Sequence, residues 1–289
     1  DPAQLTFTHI TDAAAVESPL AVDTSLTEVY WNSLNGQPLP ATLQEAREYA
    51  DRLEERYGVT ILLSAQAQEA CDAVWDATIT TTDQWPLEDE PHAIARMLEA
   101  LDRTLALYPD GFFRQMKNTM GEGGVRFMPV GHIENAVNAI GLTYETYGWQ
   151  NIYIDVTIDA FEGTICHEIW HAIEGVLLTR NWNAIDQEEW AACNPAGFSY
   201  NEDAETPDSN PERWTFFYEF SAQDVYFVDA YSRTNAKEDR ARIMEYIMAT
   251  EDVAGALVQS PAIAQKLQIM CRAIRENFDT SSWGELRWE

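Results

Sequence analysis

Residues 151–158 alternate strictly, with Ile152, Ile154, Val156 and Ile158 on one side and Tyr153, Asp155 and Thr157 on the other. A period of two over that length predicts a half-buried strand. Directly behind it the pattern turns helical over residues 161–178, where Ile165, Ile169, Ala172, Ile173 and Val176 make the segment strongly apolar. A strand that feeds straight into an apolar helix is the element around which an α+β fold can be built.

That helix contains His167-Glu168-Ile169-Trp170-His171, an HExxH motif. A helix advances about 100° per residue, so His167 and His171 lie about 40° apart, one turn above each other, and both imidazoles can reach one ion. Glu168 stands beside such an ion rather than on it. Two neutral nitrogens as ligands and a neighbouring carboxylate to accept a proton from water are what a zinc hydrolase needs. The competing reading is two histidines on the polar face of an amphipathic helix. The apolar flanks argue against it, because buried polar groups need partners and a metal would supply one. Cys166 points about 100° away from His167 and reads as a small buried residue.

Two histidines do not complete a metal site, and no histidine follows His171. The third ligand is therefore expected among the carboxylates. Glu174 shares the face of His167 at i+7, but three ligands from one straight helix are strained, so it is expected to partner a ligand histidine instead. Glu188 and Glu189 stand near the spacing at which thermolysin-like enzymes place a glutamate ligand, and Glu189 is the alternative to a candidate further on. That candidate is Glu238, which opens a helix together with Asp239. Asn235-x-x-Glu238 is also a capping box, and acids favour a helix N-terminus, so capping alone would account for Glu238.

Here the sequence resembles the zinc-binding metallopeptidases of the gluzincin type that are similar to the catalytic domain of anthrax lethal factor. In that group an HExxH helix is followed, several dozen residues on, by a Tyr and a Glu seven residues apart, as Tyr231 and Glu238 are. The resemblance is specific over residues 164–175 and 231–242. It implies that His167, His171 and Glu238 bind Zn2+, that Glu168 is the general base and that Tyr231 steadies the oxyanion. Glu174 matches an acidic position of the group, and Asp239 is expected beside the ligands rather than among them. The implied fold is zincin-like: a twisted mixed sheet and the HExxH helix in an N-terminal lobe, and a mainly helical C-terminal lobe.

Other segments fill in this plan. Helices are expected over residues 42–57, 91–108, 236–249 and 262–278, and strands over 59–64, 125–130 and 139–144. An aromatic-rich helix is expected over 216–231, within a region helical almost throughout from residue 215. The proline- and acid-rich stretch 181–214 is the natural boundary. The chain thus divides into an extended arm over 1–26, a lobe over 27–180 with sheet and HExxH helix, and a lobe over 181–289 supplying the third ligand.

Charge narrows the partners. With 48 Asp and Glu against 18 Lys and Arg, the formal net charge is −30. A field of that sign disfavours nucleic acid and anionic membrane surfaces and favours cations and basic or neutral peptides. No apolar run reaches the length of a membrane-spanning helix, and a peptide or protein substrate is the expected partner. Cys71, Cys166, Cys193 and Cys271 form no CxxC, which argues against a zinc knuckle. A chain opening on Asp1-Pro2 is expected either of an exported protein whose leader has been removed or of a trimmed chain. Two other functions fit the same residues: an exported binding or adhesion protein that keeps the fold without turnover, and a zinc hydrolase of non-peptide amides. Glu168 argues against the first, since a purely structural ion needs no base beside it.

Overall fold

The computed structural model describes residues 39–135, 139–159, 161–200, 212–284 and 286–288. The arm expected over residues 1–26 lies outside them. The first described helix, α1 (Leu43–Tyr57), starts at a reciprocal capping box, in which Thr42 accepts from the Glu45 N–H and Glu45 accepts from the Thr42 N–H. It stops at Gly58, whose φ of 75° is the left-handed conformation glycine adopts without strain. Ala46, Ala50 and Leu53 form its buried stripe.

Five strands follow: β1 (Thr60–Ile61), β2 (Thr78–Thr81), β3 (Gly124–Glu134), β4 (Gly141–Thr146) and β5 (Trp149–Asp155). They make one mixed sheet in the order β1-β3-β5-β4, with β2 antiparallel to the far end of β3. β1, β3 and β5 run parallel, and β4 folds back antiparallel beside β5. The α+β class and the mixed sheet expected from the sequence are thus present. The β4–β5 hairpin turns on Tyr147 and Gly148, both at positive φ (51° and 81°), the twist-matched solution for a two-residue loop. β5 stops at Asp155, three residues short of the alternation seen in the sequence. The Asp155 carboxylate accepts from the Thr157 N–H at 2.8 Å, a local turn that competes with the ladder.

The sheet separates two apolar clusters. Val125, Phe127, Ile152 and Ile154 face the main core, whereas Met128, Val130 and Tyr153 face a smaller one with Ala67, Cys71 and Ile79. On the main side lie α3 (Glu90–Leu105) and α4 (Phe161–Arg180), the HExxH helix. The latter is buried on nearly all sides by β4, β5, α3 and the helix Ala236–Ala249. The remaining helices are α2 (Gln68–Asp72), α5 (Gln187–Ala192), α6 (Ala236–Ala249), α7 (Glu251–Leu257) and α8 (Pro261–Asn277). Residues from Ala46 to Trp288 share the main core, so the segments on either side of residue 180 pack around one interior. Residues 216–231 are not the expected helix. Their aromatics lack a helical period, and the chain doubles back instead, with Phe216 N–H on the Phe227 carbonyl at 2.8 Å and Tyr226 N–H on the Trp214 carbonyl at 2.8 Å. None of the four cysteines is in a disulfide.

Helix α6 is fastened on two sides by buried ion pairs. Arg240 makes two hydrogen bonds, of 2.6 and 2.9 Å, to Glu174 of α4. Asp239, fully buried, accepts from Lys266 of α8 at 2.7 Å and from the Tyr200 hydroxyl at 2.6 Å. Burial pushes the Asp239 carboxyl up and the Lys266 ammonium down, and their mutual attraction opposes both shifts. Stranding one buried charge is expensive. Lys266→Met should therefore lower unfolding free energy by about 3–5 kcal/mol, and the double variant with Asp239→Leu should recover most of it, as measured by urea denaturation.

Candidate metal centre

Helix α4 presents His167 and His171 toward α6, whose first turn carries Glu238. Asn235 caps α6, accepting from the N–H groups of Lys237 (2.9 Å) and Glu238 (3.0 Å). The cap takes the Asn235 side chain, which leaves the Glu238 carboxylate available to the histidines. His167 Nε2 stands 3.0 Å from Glu238 Oε2, His171 Nε2 stands 3.4 Å from the same oxygen, and the two imidazole nitrogens are 3.1 Å apart.

These separations can be compared with those of a metal cage. Ligand atoms about 2.0 to 2.1 Å from a tetrahedral zinc lie about 3.3 Å from one another. The three donor atoms therefore fit one small cation, and their N2O chemistry suits zinc. The sequence-predicted trio of His167, His171 and Glu238 is brought together as expected of ligands. Glu189 is not part of this group. It pairs with Arg272 at the protein surface, because α5 points its first turn toward α8.

Two residues expected to partner the ligands turn elsewhere. The Glu174 carboxylate accepts from Arg240 and from Trp170 Nε1 (3.2 Å) and has no bond to a histidine. One turn beyond His171, it meets α6 at Arg240 instead. Asp239, one step of about 100° past Glu238, faces Lys266 and Tyr200 rather than the imidazoles.

The partner that does orient a histidine is Glu245, which was not among the expected site residues. Its Oε2 lies 3.1 Å from His167 Nδ1, the carboxylate–histidine contact that fixes the ring and its tautomer in metal sites. Glu245 is in turn gripped by Arg242, which also pairs with Asp229. Glu238, Arg242 and Glu245 recur at i, i+4 and i+7, so the helical face shared with Glu238 was the available signal. Cys166, adjacent to His167, is buried in the core as expected, and burial pushes its thiol pKa up.

Glu168 is 5% exposed and accepts a hydrogen bond from the Thr143 hydroxyl of β4 at 2.7 Å. Tyr231, in a short 3-10 turn (Tyr231–Arg233), is half exposed, with its ring centre 6.2 Å from that of His167. Its hydroxyl bonds to Glu238, and burial together with the charges of Glu238 and Glu168 raises its pKa, so it remains a donor at neutral pH.

The histidine–carboxylate pairs are strongly coupled. Burial opposes a charge on His167, but hydrogen bonds to Glu238 and Glu245 and the charge of Glu168 outweigh it and raise the imidazolium to about 10. Burial likewise opposes the Glu238 charge, and the two histidines outweigh it, holding that carboxyl well below the usual range.

Compared with known proteins, the chain matches no family model, no curated protein and no solved structure. Among the described residues no helix is long and apolar enough to cross a membrane.

Two outcomes follow for metal binding. Glu238→Ala should abolish stoichiometric zinc binding, Glu189→Ala should leave it intact, and Glu245→Ala should weaken it about 10- to 100-fold in chelator competition. A cation must also displace the proton held on His167. Apparent affinity should therefore rise about tenfold per pH unit across the neutral range and level off above pH 10, where His167 is already neutral.

Proposed function

We propose that the protein is a zinc-dependent peptidase of the gluzincin type on a zincin-like fold. The observation that carries this reading is the convergence of His167, His171 and Glu238 within hydrogen-bonding distance of one another, with the Glu168 carboxylate one residue along the same helix. Glu168 is not needed to hold a cation. Its position suits a proton acceptor at the edge of the cage.

In this mechanism His167, His171 and Glu238 would hold zinc, and Glu245 fixes the His167 ring through its Nδ1. The ion would supply Lewis acidity, making water nucleophilic near neutral pH and polarising the scissile carbonyl. Glu168 takes the proton of the attacking water and afterwards delivers it to the departing amine. The Tyr231 phenol, kept protonated by its surroundings, donates to the carbonyl oxygen as charge develops there. An extended peptide is expected to lie along β4, the terminal strand of the sheet order, whose hydroxyl-bearing Thr143 already touches Glu168.

Zinc-loaded protein should hydrolyse members of a peptide library. Glu168→Gln should retain zinc and lose about 10²- to 10⁴-fold in kcat, and Tyr231→Phe should lose about a hundredfold. Hydrolysis unchanged in Glu168→Gln would exclude the mechanism. The net charge of −30 further predicts faster cleavage of peptides rich in Lys and Arg than of acidic ones, with the difference shrinking as salt is added.

A further inference from the structure

Gly141 lies in β4 with no positive φ, so its backbone would accept any residue; what it lacks is room. A Cβ built there would come 2.8 Å from Glu168 Oε1, 2.9 Å from Glu168 Cγ and 2.6 Å from Thr164 Cγ2. Contacts that short do not occur between real Cβ atoms and their neighbours, so a side chain at 141 would have to displace Glu168, Thr164 or both. Two residues on, and therefore on the same face of the strand, Thr143 places its hydroxyl 2.7 Å from Glu168 Oε2 and 3.0 Å from the Glu168 carbonyl oxygen. The two residues are fixed by ladder pairing to β5, Gly141 opposite Ile154 and Thr143 opposite Ile152. The β-branched Thr143 has few side-chain conformations to lose on making this bond.

We propose that Gly141 and Thr143 form a cradle that sets the direction of the Glu168 carboxylate, which makes both of them positioning residues for the peptidase reaction. The proposal rests on the hydrolase reading above and deepens it. Thr143 tethers one carboxylate oxygen, and the bare Cα of Gly141 leaves space for the other. A glutamate has three side-chain torsions, and its own helix does not fix the outer ones. The cradle does so from the neighbouring strand, and neither residue touches the three donor atoms of the cage.

Three variants test it: Thr143→Val, which removes the hydroxyl at nearly constant volume; Thr143→Ser, which restores it; and Gly141→Ala. All three should bind one equivalent of zinc, with affinities in chelator competition within about twofold of the parent, since the ligands are untouched. Thr143→Val and Gly141→Ala should lose roughly ten- to a hundredfold in kcat with KM within about twofold, the pattern of a misplaced reacting group. Thr143→Ser should stay within about threefold of the parent. A Thr143→Val enzyme with parental kcat, a loss that serine does not rescue, or a loss that tracks zinc content would overturn the cradle. Crystal structures of zinc-free Thr143→Val and Gly141→Ala give a readout independent of turnover. Displacement of the Glu168 carboxylate by about 1 Å or more is expected, and an unmoved carboxylate refutes the proposal. If the parent protein cleaves no peptide, the hydrolase reading fails while the crystallographic comparison still decides the cradle.

Discussion

The buried ion pair between Arg240 and Glu174 fastens α6 to α4, and the grouping of His167, His171 and Glu238 across these two helices depends on how they are held together. Glu238, Asp239 and Arg240 are consecutive on α6 and project about 100° apart, one to the histidines, one to Lys266 of α8 and one to Glu174 of α4. A cage made from two helices tolerates little sliding, because its donor atoms must stay within a few tenths of an ångström of their spacing. Apolar packing alone would fill the interface but leave helical register loosely specified. A two-pronged guanidinium–carboxylate contact fixes both register and rotation. Buried pairs of this kind add little net stability once desolvation is counted, so their structural consequence here is alignment.

Electrostatics within the site follow from the same arrangement. Glu238 and Glu245 bracket the two nitrogens of His167, and Glu168 lies close enough to add its charge. Such a concentration of carboxylates draws in positive charge. The imidazolium of His167, whose pKa these carboxylates raise, supplies it and binds Glu238 at 3.0 Å. A proton and a candidate cation would thus compete for one electrostatic well, whose carboxylates and imidazoles are already assembled. Arg242 neutralises the outer end of the well through Glu245 and Asp229, so the uncompensated negative charge faces the donor atoms.

Much of this was legible in the chain. The HExxH spacing guarantees that His167 and His171 share a face, and the family resemblance carried by Tyr231 and Glu238 pointed to the carboxylate that sits beside them. The strand ahead of α4 was visible in its alternation, though not its end, because the turn at Asp155 arises from a side chain bonding its own backbone. Errors arose where direction depended on tertiary packing. Glu174 and Asp239 have the right chemistry to support a histidine, yet each meets a closer cation, Arg240 and Lys266, from another element. Periodicity cannot reveal such partners. Thr143 and Gly141 were unreadable for the same reason, since their relation to Glu168 exists only once β4 lies against α4. Glu245 is readable from the sequence, since it lies two turns along the helical face of Glu238 and so comes within reach of His167.

The acid excess acquires a more specific meaning once the cations are located. Many of the 18 basic residues are committed inside the fold. Arg240 and Lys266 neutralise buried acids and Arg242 partly buried ones, while Arg114 and Arg180 bond backbone carbonyls at helix ends. Neutral buried pairs contribute little to the outer potential, which is left to carboxylates with few cations among them. A field of that sign attracts cations and repels polyanions. A field of this range acts on encounter, whereas chemistry depends on atoms a few ångströms apart that salt hardly screens. Charge therefore acts at long range on encounter, whereas the contacts among His167, His171, Glu238 and Glu168 act only at the distances to which α4 and α6 hold them.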